Sequence, residues 1–402
     1  MFTIGWFFLG FFVSMVSSSL GALFALRPLH KCITSSWVER ARLAYPPRVV
    51  TTANTILQPI WYIAASYSLY GFLSLEMSWM EIIGAYMGTV LVALQVERTI
   101  QNNPLSIRDF LQRLKDYVLS LLTWLTILTP LLCAFGIVLS LMPRNLDQRT
   151  IVWLGMSTVL LALGSSGVGL FIARAIGIAS PAAARLQNIV NSTAARCGIR
   201  TAIAYEVRSR VANASAFPLC RRLIVTDKAM AALNDNELAA VCAHELAHIN
   251  EPVGVLVLRV FGAVTYLLLI AIMRPLYGSY GPSSLIILVV VFLGTRIILQ
   301  RFLRLMEKRA DTFGYIHQGE EGAYARALER LYEFNLVPVV MSGKGGTHPH
   351  LYDRLIAAGI SPSYSRPAPP SRLTIFIALI SAAITSWILI GLLYFVLKKF
   401  SV

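Results

Sequence analysis

Residues 244–248 read His-Glu-Leu-Ala-His, or HELAH. The two histidines are four residues apart, so an α-helix places both imidazoles on one face, one turn apart. Both rings can then bind one ion, while Glu245 lies beside that ion. This spacing is typical of zinc sites in which a carboxylate acts as a general base. The alternative is a surface helix that carries two histidines by chance.

The residues around HELAH predict a helix. Asn234 and Glu237 form a capping-box pattern at its start. Cys242 lies two residues before His244 and therefore on a different helix face, so we interpret it as a structural thiol rather than as a metal ligand. Apolar residues follow the cap at roughly helical spacing, namely Leu238, Val241, Leu246 and Ile249.

The composition predicts a membrane protein. Of the 402 residues, 56% are hydrophobic and only 14% are charged, and the mean hydropathy is +0.65. A soluble globular protein carries about 25% charged residues. We attribute the net charge of +15 to Lys and Arg in loops that face anionic lipid. Because no nucleic-acid-binding motif accompanies this charge, the predicted partner is the lipid bilayer and not nucleic acid.

Eight apolar stretches are long enough, or nearly so, to cross a bilayer. The third also fits an interfacial helix, and the loss of one span would reverse the orientation of every later segment. The eight stretches are 4–26, 54–75, 79–97, 117–141, 150–173, 253–273, 283–300 and 373–397.

Basic residues indicate which side of the membrane the loops face. With eight spans, loops 27–53 and 98–116 and segments 174–252 and 301–372 lie on one side and carry most of the Lys and Arg residues. The positive-inside rule makes that side cytoplasmic. Lys398 and Lys399 disagree with this orientation, and we expect the summed loops to outweigh them.

The polar segments predict three domains. Residues 1–173 form a membrane domain of about five spans, and residues 373–402 form a C-terminal transmembrane helix. Between them, residues 174–372 form one domain, which is interrupted by a two-span hairpin at about 253–300. Arg259 and Arg296 lie within that hairpin. They are expected to extend to lipid phosphate, or alternatively to line a polar cavity.

A third metal ligand is predicted after the hairpin. Glu307 and Asp311 are four residues apart and share one helix face. His248 precedes the hairpin by about 7 Å of helix and Glu307 follows it by about 10 Å, so an antiparallel hairpin brings both to similar heights. We therefore predict that Glu307 completes a zinc site with His244 and His248. The alternative is that both carboxylates are solvated and pair with neighbouring basic residues.

Four motifs resemble those of one known family. HELAHI is followed about sixty residues later by EKRAD (307–311), with two apolar spans between them. Residues 213–217 (NASAF) and 222–226 (RLIVT) are similar to strand segments that precede the zinc helix of that family. Thr347-His348-Pro349 with Arg354 resembles its later T-H-P…R element.

These motifs cover about residues 185–360 and resemble the integral-membrane zinc metallopeptidases of the HExxH (gluzincin) type, which include HtpX-like proteases and CAAX prenyl proteases. The extra N-terminal spans depart from the short HtpX-like layout. Pro218-Leu219 also stands where the family usually has Pro-Gly. The resemblance implies a mainly α-helical multi-pass membrane protein of about eight transmembrane helices, with a small α+β metallopeptidase domain of the zincin type.

The resemblance also implies a role for each matching residue. His348 fits equally well as a loop histidine beside Pro349, and Asn213 also fits a turn. By this resemblance, one zinc ion per chain binds to His244, His248 and Glu307, and Glu245 is the catalytic base. Asp311 orients a ligand histidine, and His348 is a catalytic group at the oxyanion. Asn213 and Arg354 are substrate-binding residues.

Together these predictions describe a membrane-embedded zinc endopeptidase of protein or peptide substrates. It would act on membrane or membrane-proximal proteins at the cytoplasmic face, in quality control or processing, and the resemblance places it in the bacterial plasma membrane. Strand 222–226 is expected to offer an open edge for an extended substrate.

Two alternatives belong to other functional classes. One is a membrane sensor or scaffold that keeps the metallopeptidase fold and signals through its conformation, as the extra N-terminal spans suggest. The weaker one is a transporter, because the ionisable cluster lies in the polar segments rather than at mid-membrane.

Overall fold

Long helices dominate the structure, as the apolar composition predicts. The computed structural model describes residues 2–30, 36–70, 75–101, 107–341 and 349–400. The first elements are α1 (Phe2–His30), α2 (Trp37–Tyr70), α3 (Leu75–Gln101), α4 (Ile107–Leu141), α5 (Gln148–Ser165), α6 (Val168–Ala175), β1 (Ala179–Pro181) and α7 (Ala184–Arg196). The next are β2 (Ile203–Val207), β3 (Ala214–Phe217), β4 (Arg222–Thr226), α8 (Asp227–Ala232), α9 (Asp235–Ile249), α10 (Val253–Tyr280), α11 (Ser284–Ile316), α12 (Ala323–Asn335), α13 (Leu351–Ala357) and α14 (Arg372–Phe400).

The chain divides into two compact units. The first comprises residues 1–114, 336–343 and 364–402, and the second comprises residues 115–335 and 344–363. The first therefore contains α1, α2, α3 and α14, whereas most of α4, all of α5 and α6, and the sheet belong to the second. These bounds differ from the three predicted domains, whose functional division stays a prediction.

Glycines allow close helix packing in the first unit. A Cβ atom at Gly84 of α3 would lie 2.1 Å from the carbonyl oxygen of Phe7 in α1, and one at Gly10 would lie 2.3 Å from that of Glu81. Residues without a side chain let two backbones approach each other, as is common between helices in membranes.

The interior of the first unit is partly polar. The Ser386 hydroxyl of α14 donates a hydrogen bond to Oε1 of Gln58 in α2 at 2.8 Å, and both residues are fully buried. Hydrogen bonds of this kind hold membrane helices together, because burying apolar side chains between helices in lipid contributes little free energy.

A four-stranded sheet lies in the second unit, with the strand order β1-β2-β4-β3. The β2–β4 pair is parallel, whereas the β1–β2 and β3–β4 pairs are antiparallel. The expectation that residues 222–226 form an open edge is wrong, because β4 pairs with β2 on one side and with β3 on the other. Of the described strands, β1 and β3 lie at the edges.

Alternating side chains of the strands build two hydrophobic cores, one on each face of the sheet. On one face, Leu223 and Val225 of β4 pack with residues of α7, α9 and α12. On the other face, Ile224 of β4 packs with Ile127 of α4 and Leu170 of α6. The second core explains why α4 and α6 belong to the same unit as the sheet.

The start of α9 confirms the predicted capping box. The Asn234 side chain accepts a hydrogen bond from the backbone N–H of Glu237 at 2.9 Å. In return, the Glu237 carboxylate accepts one from the backbone N–H of Asn234 at 3.0 Å. This reciprocal pair fixes the first turn of the helix that carries HELAH.

Helices α10 and α11 form the expected antiparallel hairpin. They are joined by a turn at Gly281–Ser283, where Gly281 has a positive φ of 60°. Tyr266 of α10 lies against Phe292 of α11, with ring centroids 5.3 Å apart. A Cβ atom at Gly262 of α10 would lie 2.7 Å from the Leu299 side chain of α11, so the two helices also contact each other in the half of the hairpin away from the turn.

Fewer spans are found than the eight predicted. Among the described residues, four stretches are long and apolar enough to cross a membrane: Phe7–Leu29, Leu114–Leu141, Val264–Ile316 and Arg372–Leu392. The third of these contains the hairpin turn. Helices α5 and α6 make a fifth if they count as one span bent by 43°, a bend that the positive φ of Gly167 permits. The predicted spans 54–75 and 79–97 fall largely in α2 and α3.

The contact between α6 and α4 can be tested with two helical glycines. A Cβ atom at Gly169 would lie 1.9 Å from the carbonyl oxygen of Ile127, whereas one at Gly155 would meet nothing within 4 Å. Gly169→Ala is expected to destabilise the protein by about 1–3 kcal/mol, because the backbones must separate. Gly155→Ala is the matched control and should cause no loss. Thermal unfolding in detergent measures both, and equal stabilities would contradict the packing.

Candidate metal centre

Helix α9 presents the two motif histidines side by side. The rings of His244 and His248 are 4.9 Å apart between centroids, and the residues are only 6% and 7% exposed. Most of the helix around them is buried in the core beside the sheet. The rest of the fold therefore holds both rings, unlike those of a surface helix.

Helix α11 brings Glu307 to the same point. One carboxylate oxygen, Oε2, lies 3.7 Å from Nε2 of His244, and the other, Oε1, lies 3.7 Å from Nε2 of His248. One ligand atom from each of the three residues lies within 4.8 Å of the other two. Gly314 of the same helix lets α11 approach closely, since a Cβ atom there would lie 3.3 Å from Cβ of His244.

A zinc ion fits this set of donor atoms. Zinc binds imidazole nitrogen and carboxylate oxygen at about 2.0–2.2 Å, which places tetrahedral ligands roughly 3.4 Å from one another. The two separations of 3.7 Å, one to each Glu307 oxygen, are close to that value. Two nitrogens and one oxygen also leave a fourth position open, which is typical of catalytic rather than structural zinc sites.

Behind His244, three side chains hold its Nδ1 atom in place. Nδ1 lies 2.7 Å from the hydroxyl of Tyr324 and 3.2 Å from Oδ1 of Asp311. The Tyr324 hydroxyl donates to Asp311 at 2.8 Å, and Arg354 donates to the same carboxylate at 2.9 and 2.6 Å. These acceptors favour a proton on Nδ1 and leave the Nε2 lone pair free for a metal.

Burial raises the pKa of Tyr324 well above its ordinary value, so its hydroxyl stays protonated and can donate to Asp311. The predicted role of Asp311 in orienting a ligand histidine stays a prediction, which these distances support.

Behind His248, a second carboxylate takes the equivalent place. Oε1 of Glu251 lies 2.9 Å from Nδ1 of His248. Arg259 of α10 donates to both oxygens of Glu251, at 3.1 Å from Nε and at 2.6 Å from a terminal nitrogen. Burial alone would raise the pKa of Glu251, but hydrogen bonds from His248 and Arg259 hold it below its ordinary value. Glu251 therefore stays charged.

Arg259 is not the lipid-facing residue that the sequence suggested. Its guanidinium donates hydrogen bonds to Glu251 and lies 3.2 Å from Nδ1 of His248. Arg259 lies eight residues after Glu251, and the first turns of α10 bring its side chain close to the end of α9.

The other predicted site residues take varied positions. Arg354 was expected near the substrate, but its buried guanidinium lies against Asp311 and Tyr324, behind His244. Asn213 is exposed just before the edge strand β3. Cys242 is fully buried, and burial raises the pKa of its thiol to about 12, which favours the structural interpretation. His348 lies outside the described residues.

Two residues of the site were missed in the sequence. Glu251 had a local signal, since it is an acidic residue one helical turn after His248. Tyr324 had none, because it lies 80 residues from His244 in sequence and joins it only through the packing of α9, α11 and α12.

Residues 180–359 match peptidase family M48. The matched segment runs from β1 to just beyond α13 and contains the HELAH helix, the hairpin and Glu307. This segment is therefore similar to M48 peptidases.

A curated relative agrees with this assignment. The chain is similar to a protease HtpX homolog from Desulfatibacillum aliphaticivorans, with 26% identity over 227 residues, which cover 47% of this chain and 73% of the relative. Together with the apolar helices, the M48 domain supports a membrane-associated metallopeptidase.

The contact between Glu251 and His248 gives a testable prediction. Glu251→Gln is expected to weaken zinc binding about 10- to 100-fold, because the amide keeps the shape of the side chain but removes the charge that orients the imidazole. Competitive zinc titration of the detergent-purified chain measures the change. The matched control is Glu320→Gln, which removes an exposed carboxylate paired with Arg326. Wild-type zinc affinity in Glu251→Gln would show that His248 needs no such partner.

Proposed function

We propose that this chain is a zinc-dependent endopeptidase that cleaves membrane or membrane-proximal proteins. The observation that carries the proposal is the convergence of His244 Nε2, His248 Nε2 and the Glu307 carboxylate within the M48 domain. The M48 match supports peptide-bond hydrolysis, and the donor set supports zinc.

The motif residues divide the chemistry between them. A zinc ion held by His244, His248 and Glu307 would polarise the scissile carbonyl and lower the pKa of a water molecule toward neutrality. Glu245 takes the proton of the attacking water and delivers it to the leaving amine. Its side chain is half-buried, and no described residue forms a hydrogen bond with its carboxylate.

The sheet suggests how an extended substrate binds. Strand β3 pairs with β4 on one side only, so its other edge can pair with a peptide by strand addition. Asn213 stands at the start of that edge and is exposed, which suits the substrate-binding role that the family resemblance gives it. The same resemblance assigns His348 to the oxyanion. Arg354 is assigned instead to holding Asp311.

The position of the site suits substrates that come from the membrane. His248 lies five residues before α10, which corresponds to about 7 Å of chain at helical rise. By the positive-inside rule, the basic loops support a cytoplasmic location for this side, and the similarity to an HtpX homolog supports a bacterial plasma membrane. A role in quality control or processing of membrane proteins follows from that position.

Cleavage of unfolded casein by the detergent-purified full chain tests the proposal, with zinc counted in each sample. Wild type should cut and chelation should stop it. Glu245→Gln should keep zinc but lose at least about 100-fold in rate, because general base catalysis contributes about 10²–10⁴-fold. Glu307→Gln should lose both zinc and activity, and Glu320→Gln, which changes an exposed carboxylate outside the site, should match wild type.

The outcomes separate the alternatives. Full activity in Glu245→Gln would refute the assigned base. A wild-type protein that binds one zinc ion yet cleaves neither casein nor an unfolded membrane protein would contradict the peptidase proposal and favour the sensor or scaffold interpretation.

A further inference from the structure

The hairpin contains a large apolar cleft between α10 and α11. Its volume is about 930 Å³, and along α10 it runs from Leu258, near the metal centre, to Met273, near the turn. Fifteen residues of helix correspond to roughly 22 Å. Several wall residues are exposed, among them Val289 at 56% and Phe292 at 41%, so the cleft opens to the surroundings of the hairpin.

Those surroundings are apolar. The outer faces of the hairpin carry strongly exposed side chains such as Ile286 at 70% and Ile298 at 68%, within a stretch long and apolar enough to cross a membrane. Exposed apolar side chains at this density are stable only against lipid or another apolar surface. A ligand that enters the cleft therefore comes from the bilayer.

Two arginines and no acidic residue lie among the described residues that line the cleft. Arg259 is neutralised by Glu251. Arg296 is exposed and has no hydrogen bond or ion pair with any described residue. A cation within an apolar span is costly unless an anion meets it, and basic pockets between membrane helices suit anionic lipid headgroups.

We propose that this cleft binds one anionic phospholipid, with an acyl chain between α10 and α11 and the phosphate on Arg296. The apolar walls select a hydrocarbon chain, and the unpaired guanidinium selects a negative headgroup. A transmembrane segment of a substrate would fill the walls equally well but would leave Arg296 without a counter-charge. The proposal does not depend on the peptidase chemistry, although Arg259, which donates to Glu251 behind His248, also lines the cleft.

Native mass spectrometry of the full-length chain tests this site. The protein is taken from nanodiscs of equal parts phosphatidylglycerol and phosphatidylcholine, and the lipids retained on each molecule are counted. Wild type should retain phosphatidylglycerol at least about 10-fold over phosphatidylcholine, as expected if one ion pair within the membrane distinguishes the headgroups by about 1.4 kcal/mol. Arg296→Gln should lose this preference, and Arg296→Lys should keep it.

Two further variants distinguish the contribution of the apolar walls to lipid binding from that of the charge. Leu288→Trp fills the cleft and should reduce retention of both lipids. Arg274→Gln removes a basic residue of α10 that does not line the cleft and should behave as wild type. Thermal unfolding of each variant checks that the fold is intact.

Three results would overturn the proposal. One is equal retention of the two lipids by wild type. Another is a loss of preference in Arg274→Gln as large as that in Arg296→Gln. The third is a polyleucine transmembrane peptide that displaces phosphatidylglycerol from wild type and binds Arg296→Gln equally well, because the occupant would then be an apolar protein segment.

Discussion

A metal-binding histidine must offer a neutral ring nitrogen to the ion. In the second unit, the neighbours of both His244 and His248 meet this requirement. Each Nδ1 atom faces a carboxylate, Asp311 for His244 and Glu251 for His248. Each carboxylate is in turn paired with an arginine, Arg354 or Arg259. The proton therefore stays on Nδ1, and the two Nε2 atoms face Glu307.

Burial of these charged groups costs free energy, which explains why each of them has a partner. Charged groups with little exposure are stable only when each has a partner, and the removal of one partner leaves the other uncompensated. The partners come from different elements: Asp311 from α11, Tyr324 from α12, Arg354 from α13 and Arg259 from α10. The geometry of two imidazoles thus depends on helices that are far apart in sequence. Helix α10 contributes Arg259 and helix α11 contributes Glu307, both on the side of the hairpin away from its turn, so the apolar helices help to build the polar site.

The sequence predicted those parts of the fold and site that depend on local spacing. The capping box, the helix of HELAH and the hairpin follow from neighbouring residues, and Glu307 follows from the hairpin. Contacts between distant segments could not be predicted this way. The place of β4 inside the sheet depends on its pairing with β2 and β3, and Tyr324 reaches His244 only through packing. The count of eight spans is not confirmed, since among the described residues four stretches, or five with the bent pair of α5 and α6, are long and apolar enough to cross a membrane.

Zinc K-edge X-ray absorption of the full-length chain in detergent tests the metal centre most directly, because it reports the identity and distance of the atoms bound to the metal. The account predicts two imidazole nitrogens at about 2.0–2.1 Å, light-atom ligands for the remaining positions and no sulfur. A zinc–sulfur distance of about 2.3 Å would contradict it. Such a distance would mean that a cysteine, and not the set of His244, His248 and Glu307, holds the ion.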